Sequence, residues 1–305
     1  MLSVSSTPRR LRQRCGLRAA ADIRKTSRVK HKRRADPPGR EETMVNLETV
    51  RKDAPWTWLA GAVEDMKAAP IISLGYGAAF TGIGLAITLG LVLAGYGGFA
   101  PVLVGGFALV APMFAVGIYR ISEIRDRGET PGLFDFWSIS GSRLTQLGLL
   151  SVLLFVFFLA WARLAQFLFA MLTNDADFQL STLQNFLLTD PSGVMLLVIG
   201  TAIGAALAFA AFTVAALSFP MLVDRDVDAI TALVASVKAV VTQPSVMIFW
   251  AVIIAITTAI GAAFFLVGLA VTFPLIAHAS WRAYKDFNPT PLPSAAEIEA
   301  RQNGG

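Results

Sequence analysis

The chain has 305 residues, of which 55% are apolar and only 15% charged, and its mean hydropathy is +0.60. An ordinary soluble domain carries about a quarter charged residues, so this composition excludes a water-soluble enzyme, a disulfide scaffold and a wholly disordered chain together. The formal charge of +5 is a property of one end: residues 1–53 hold 15 of the 26 Lys and Arg against 6 acids, and the rest of the chain is net acidic.

Residues 1–54 read as a disordered basic extension, with runs such as Arg9-Arg10-Leu11-Arg12 and Lys30-His31-Lys32-Arg33-Arg34 and too little apolar surface to order itself. It has no hydrophobic stretch of the kind a secretory signal needs. Three readings stay open: a polybasic arm for anionic lipid or nucleic acid, a transit-like extension, or sequence upstream of a start at Met44. Cys15, the one cysteine, lies here, so neither an intramolecular disulfide nor a Cys-ligated zinc site is expected.

Charge gaps locate the membrane spans. No charged residue occurs from Ala68 to Tyr119 or from Ala239 to Trp281, and because one crossing takes about 20 residues, each gap holds two helices. Gly95-Tyr96-Gly97-Gly98 supplies the turn of the first hairpin and the region around Gly261 that of the second. With one further span on each side of the 173–191 connection, six spans are predicted, at about 72–94, 99–119, 145–171, 193–219, 245–262 and 264–281, in an all-α membrane domain over 55–287. Residues 288–305 read as a disordered tail.

Bases near the span ends fall on one side: Lys67, Arg120, Arg125, Arg127, Arg143, Arg225, Lys238, Arg282 and Lys285. The 173–191 connection carries only Asp175, Asp177 and Asp190, so both termini are expected in the cytoplasm. Arg163, beside Trp161 near the outer end of the third span, suits snorkelling to the interface.

The chain repeats itself. Pro70 and Pro244 each follow an amphipathic segment and open a span, while Pro112 and Pro274 each stand eight positions before an Arg that follows an aromatic, Tyr119-Arg120 and Trp281-Arg282. A diverged middle copy enters through Thr130-Pro131, Leu133, Phe134, Phe136 and Trp137 and leaves through Pro220. The unit is an interfacial helix followed by a two-span hairpin, three times in parallel, unlike the inverted repeats common in transporters. Ala78, Gly82, Ala86 and Gly90 share one helical face, as do Gly200, Gly204 and Ala208, and these small residues predict close helix packing.

The stretch from Ser218 to Ala232, the ending from Leu269 to Trp281 and the opening Ser73-Leu-Gly-Tyr-Gly77 resemble the bacterial integral membrane proteins grouped as domain of unknown function 2189, over roughly 55–287. The resemblance implies a multi-pass inner-membrane location and no mechanism. Some members carry the label cytochrome c oxidase subunit I, which the residues here do not support: such a subunit needs about six intramembrane histidines for haem and copper, and the chain has only His31 and His278.

Candidate contact residues are therefore few. Asp224-Arg225-Asp226-Val227-Asp228 has the alternation of a calcium loop, but Ala229 and Ala235 stand where that loop needs Gly and Glu. Asp228 is better placed to cap the helix that follows, whose Ile230, Leu233, Val234, Val237 and Val241 form an apolar face for the membrane. His278, near the inner end of the last span, reads as a hydrogen-bonding interface histidine, and Glu123 with Arg127 as an i,i+4 ion pair. No catalytic residue, cofactor or metal is expected. The leading reading is a non-enzymatic accessory or assembly protein, in contact with lipid and other membrane proteins and not nucleic acid. A small-molecule permease, using Gly-lined gaps and Tyr76, Phe80 and Phe107, and a metal-free subunit of a respiratory complex are the alternatives.

Overall fold

The computed structural model describes residues 45–132, 135, 139–172 and 180–291. The basic tail to Met44, the apolar entry residues Leu133, Phe134, Phe136 and Trp137, Asp175 and Asp177 of the long connection, and the tail from residue 292 lie outside the described residues.

Five helices begin with a proline in their first turn, where the missing N–H has no partner to lose and the fixed φ favours the helix. They are α1 (Ala54–Ala68), α2 (Pro70–Leu93), α3 (Ala100–Phe114), α7 (Pro191–Ala215) and α10 (Pro244–Ala263). The others are α4 (Val116–Asp126), α5 (Gly141–Leu172), α6 (Leu180–Thr189), α8 (Ser218–Asp224), α9 (Ala229–Thr242) and α11 (Leu269–Phe287). Two short strands, β1 (Val45–Asn46) and β2 (Thr290–Pro291), pair antiparallel.

Among the described residues, five segments are long and apolar enough to cross a membrane: Pro70–Leu93, Gly97–Asp126, Gly141–Leu172, Pro191–Asp224 and Pro244–Ala263. The sixth expected span, 264–281, is not among them. Its first five residues, 264–268, form the turn and the rest fall in α11, whose second half turns polar from His278 onward. Even so, α11 runs antiparallel along α2. Gly77 lies against Ala270 and Pro274, Phe80 stacks on Phe273 with ring centroids 4.0 Å apart, and Ser73 meets His278.

The first hairpin turns at Gly95, which has φ +85 as a tight reversal requires. The second turns at 264–268, just beyond Gly261, which is itself helical and packs face to face with Gly268. The two matched prolines behave differently: Pro112 lies just before the break between α3 and α4, whereas Pro274 stands inside a continuous α11.

Both amphipathic segments form helices. In α9, Ala232, Ala235, Ser236 and Ala239 are buried, while Ile230 and Val241 of the opposite face are 62% and 70% exposed. In α1, Trp58, Ala62 and Asp65 face inward and Trp56 outward.

The lower boundary of the membrane domain shifts from the expected 54/55. Residues 45–50 are tied down, with Lys238 Nζ donating to the Val45 carbonyl (2.6 Å), Gln243 bonding both Val50 N and the Glu48 carbonyl (2.8 Å each), and Glu48 N donating to the Phe287 carbonyl (3.0 Å). Burial adds to these ties, since Val45 is fully buried in the core and Leu47 and Val50 pack against it. The end of the bundle where β1 and β2 meet is called the base below.

Candidate functional site: the polar base of the bundle

The densest chemistry lies where α11 leaves the bundle. On its last three turns, His278, Trp281, Arg282, Tyr284, Lys285 and Asp286 reach α1, α2, α4 and α8. Asp65 of α1 accepts from Arg282 at 2.7 and 2.9 Å and from Arg125 of α4 at 2.6 Å. A carboxylate held by two forked guanidiniums is a strong, directional arrangement. The Asp65 hydrogen bond, more than any other influence, raises the Arg282 guanidinium above its usual pKa. A Cβ at Gly61, one turn before Asp65, would fall within 2.6 Å of the Arg282 guanidinium, so any larger residue there pushes that guanidinium from its place against Asp65.

His278 is fully buried. Its Nε2 lies 3.0 Å from the Ser73 hydroxyl of α2 and its Nδ1 2.8 Å from the Ser122 hydroxyl of α4. A neutral imidazole has one donor and one acceptor nitrogen, and a hydroxyl can play either part, so the trio satisfies itself whichever tautomer is present. The expected interface histidine is thus a bridge between two helices.

Indole and phenol groups complete the ring. Trp281 Nε1 donates to Asp126 at 2.8 Å, Trp58 Nε1 to Asp286 at 2.7 Å, and Tyr284 to Asp224 at 2.5 Å. Burial first, and then the Asp224 carboxylate, push the Tyr284 phenol above its ordinary pKa. On the adjoining side Glu123, 1% exposed, pairs with Arg120 and Arg127 and lies 3.7 Å from Arg143, which also donates to the Val223 carbonyl. The expected Glu123–Arg127 pair is present and belongs to a larger cluster.

The acidic motif is divided among several tasks. Asp224 takes the Tyr284 proton donor and lies 3.7 Å from Lys285, Arg225 donates to Asn288 at 2.8 Å, and Asp226 is exposed. Asp228 caps α9, accepting from the Thr231 amide at 2.9 Å and hydroxyl at 2.6 Å. The hydroxyl bond, chiefly, holds the Asp228 carboxyl below its usual pKa.

The small-residue stripes lie elsewhere than expected. Ala78, Gly82, Ala86 and Gly90 are exposed, and a Cβ at Gly82 or Gly90 would meet nothing within 4 Å. The face of α2 that closes on a neighbour is Ser73, Gly77 and Thr81, one position earlier in the same four-residue rhythm, and a Cβ at Gly77 would collide with the Ala270 carbonyl. Gly204 does pack, its Cβ position lying 3.0 Å from the Trp161 ring, whereas Gly200 has open space.

That space is a cavity of about 660 Å³ between α3, α5 and α7, and a second of about 630 Å³ lies between α2, α3, α7, α10 and α11. Phe80 and Phe107, 5.3 Å apart, line the second, and Tyr76 packs on Phe273 next to them. Arg163 is exposed and donates to Gln166 at 3.2 Å.

Sequence reasoning missed Asp65, Arg125, Ser73 and Ser122. Asp65 carried a signal: it follows Trp58 and Ala62 at helical spacing and so lies on the buried stripe of α1.

With this geometry in view, the comparison with known families is informative. Residues 99–224 match the family described as predicted integral membrane protein, DUF2189. The resemblance to that family therefore holds from the outer turn before α3 to the end of α8. Of the motifs that suggested it, Ser218–Asp224 falls inside the match, while Ser73–Gly77 and Leu269–Trp281 lie outside. No curated protein and no solved structure matches the chain. The matched segment supplies the Glu123 cluster entire, with Arg120, Arg127 and Arg143, whereas Ser122, Arg125 and Asp224 reach partners on α11 and α1 that come from outside it.

Proposed function

We propose that this integral membrane protein is a non-enzymatic, six-span protein of the inner membrane that serves as an accessory or assembly partner. The observation that carries this reading is the mutual engagement of the base: of the residues best suited to acid–base work, His278, Asp65 and Tyr284 bond to partners on other helices, and Glu123 pairs with Arg120 and Arg127 at the end of its own α4 and lies 3.7 Å from Arg143 of α5. Such a network orders helix ends and presents a fixed surface. An enzyme would direct at least one of these groups toward a substrate cleft.

Parity supports the reading of six crossings over five. The described ends of the chain meet in the β1–β2 pair, which requires an even number of passages, and α11 returns antiparallel to α2. The three-hairpin repeat is supported by two of its copies, since α1 with α2 and α9 with α10 each form an amphipathic helix followed by a proline-opened span. The base carries Arg120, Arg125, Arg127, Arg143, Arg225, Arg282 and Lys285, which under the positive-inside rule supports a cytoplasmic orientation for it.

Affinity purification from native membranes in a mild detergent tests the reading. A defined partner at fixed stoichiometry is expected, and a clean, partnerless preparation overturns it. A second reading, a permease for a small apolar molecule, is favoured by the two cavities, and it requires ligand-dependent thermal stabilisation together with flux in liposomes.

A further inference from the structure

The two cavities meet. Gly105, Ala205 and Ala208 line both, so the spaces on either side of α7 are parts of one slot. None of the lining residues is charged. The slot lies within the depth of the apolar helices, from Leu266 near the outer turn to Tyr119 and Ser280 toward the base, and those last two hydroxyls bond to each other. Ala205 and Ala208 are exposed, so the junction opens sideways to whatever surrounds the helices.

Three fillings are conceivable for such a space. Water needs two to four polar partners in a buried site; of the lining hydroxyls, Thr88 is already bonded to the Gly84 carbonyl, and the buried Thr81 hydroxyl, which has no partner among the described residues, offers one site where a water needs at least two. Leaving it empty forfeits the dispersion contacts of every lining side chain. Hydrocarbon satisfies the walls and is what an integral membrane protein has at that depth.

We propose that one acyl chain of a membrane phospholipid occupies this slot, threaded past Gly105, Ala205 and Ala208. The junction is narrow: the Trp161 ring lies 3.3 Å from the Cβ position of Gly105 and 3.0 Å from that of Gly204, with its Nε1 fixed to the Val102 carbonyl at 2.7 Å. Only glycine and alanine leave the passage open. The inference is independent of the assembly reading, since none of the residues that carry that reading, His278, Asp65, Glu123 and Tyr284, lines the slot.

The test uses the full chain reconstituted in palmitoyl-oleoyl phosphatidylcholine vesicles, extracted into mild detergent and weighed by native mass spectrometry. One phosphatidylcholine per chain should survive stepwise detergent washing. Ala208→Phe, which plugs the junction, should lower the retained lipid at least tenfold, and Gly82→Phe, on an exposed face outside the slot, should leave it unchanged. Where Ala208→Phe does not elute as a single species, Ala205→Leu takes its place. Loss of all lipid from the unaltered chain, or equal retention in the plugged variant, overturns the proposal. A parallel arm with free palmitate separates the sources: retention of palmitate without phosphatidylcholine also overturns it.

Discussion

Asp65 and Arg282 are 217 positions apart and share a two-bond ion pair, with Nε to Oδ2 at 2.7 Å and Nη2 to Oδ1 at 2.9 Å. Removing the acid strands two guanidiniums that the fold has already brought together. Asp65→Ala should lower stability by roughly 2–3 kcal/mol, below the value for a fully buried pair because Arg282 is partly solvated. Arg282→Lys should recover only part of the wild-type melting temperature, since an ammonium cannot reproduce the fork. Thermal unfolding in detergent, followed by size-exclusion chromatography, reads both.

The His278 bridge makes a non-additive prediction. His278→Leu leaves two buried hydroxyls without partners, costing roughly 1–3 kcal/mol for each. The triple change Ser73→Ala, Ser122→Ala, His278→Leu removes the stranded groups with their partner, and it should be more stable than His278→Leu alone. A triple variant less stable than the single one would show that the hydroxyls have other partners.

Glycine substitutions discriminate between the two faces of α2. Gly77→Ala forces a methyl group into the Ala270 carbonyl and should cost roughly 1–3 kcal/mol, while Gly82→Ala should change stability by no more than about 0.5 kcal/mol. Equal losses at both positions would mean that the α2–α11 contact is not the one described.

Acid should loosen α9 first. The folded-state pKa of Asp228 lies below its ordinary value, so the unfolded chain binds the proton more readily, and the contribution is complete above the unfolded carboxyl pKa and disappears as pH falls through the lower folded one. Asp228→Ala should flatten that acid limb and cost about 0.5–1 kcal/mol at neutral pH, at the lower end for a cap because the site is exposed. Hydrogen exchange at the first turn of α9 is the direct measurement.

Much of the architecture was legible because it rests on local rules. Charge gaps and helix-opening prolines located α2, α10 and the amphipathic α1 and α9 to within a few residues. The capping role of Asp228 and the pairing of Glu123 with Arg127 depend only on spacing along one helix, and both are present. What could not be read was anything set by the rotation of one helix against another. The stripe on α2 had the right period and the wrong phase, because Ser73, Gly77 and Thr81 and their successors Ala78 and Gly82 are equally small, and only the position of α11 decides between them. The partners of His278 were hidden for the same reason: Ser73 and Ser122 are unremarkable in sequence and meet only across three helices.

The Asp65 pairing also bears on biosynthesis. Asp65 leaves the ribosome 217 residues ahead of Arg282, an interval of about 10–40 s at usual elongation rates, and during that time its carboxylate must wait in the wet interfacial zone with Arg125 as its first companion. Of the described helices, the one that completes the base is made last. Quality control that samples the nascent chain thus meets an unfinished polar seam until the final turns of α11 arrive, and a chain ending before Arg282 carries that seam permanently.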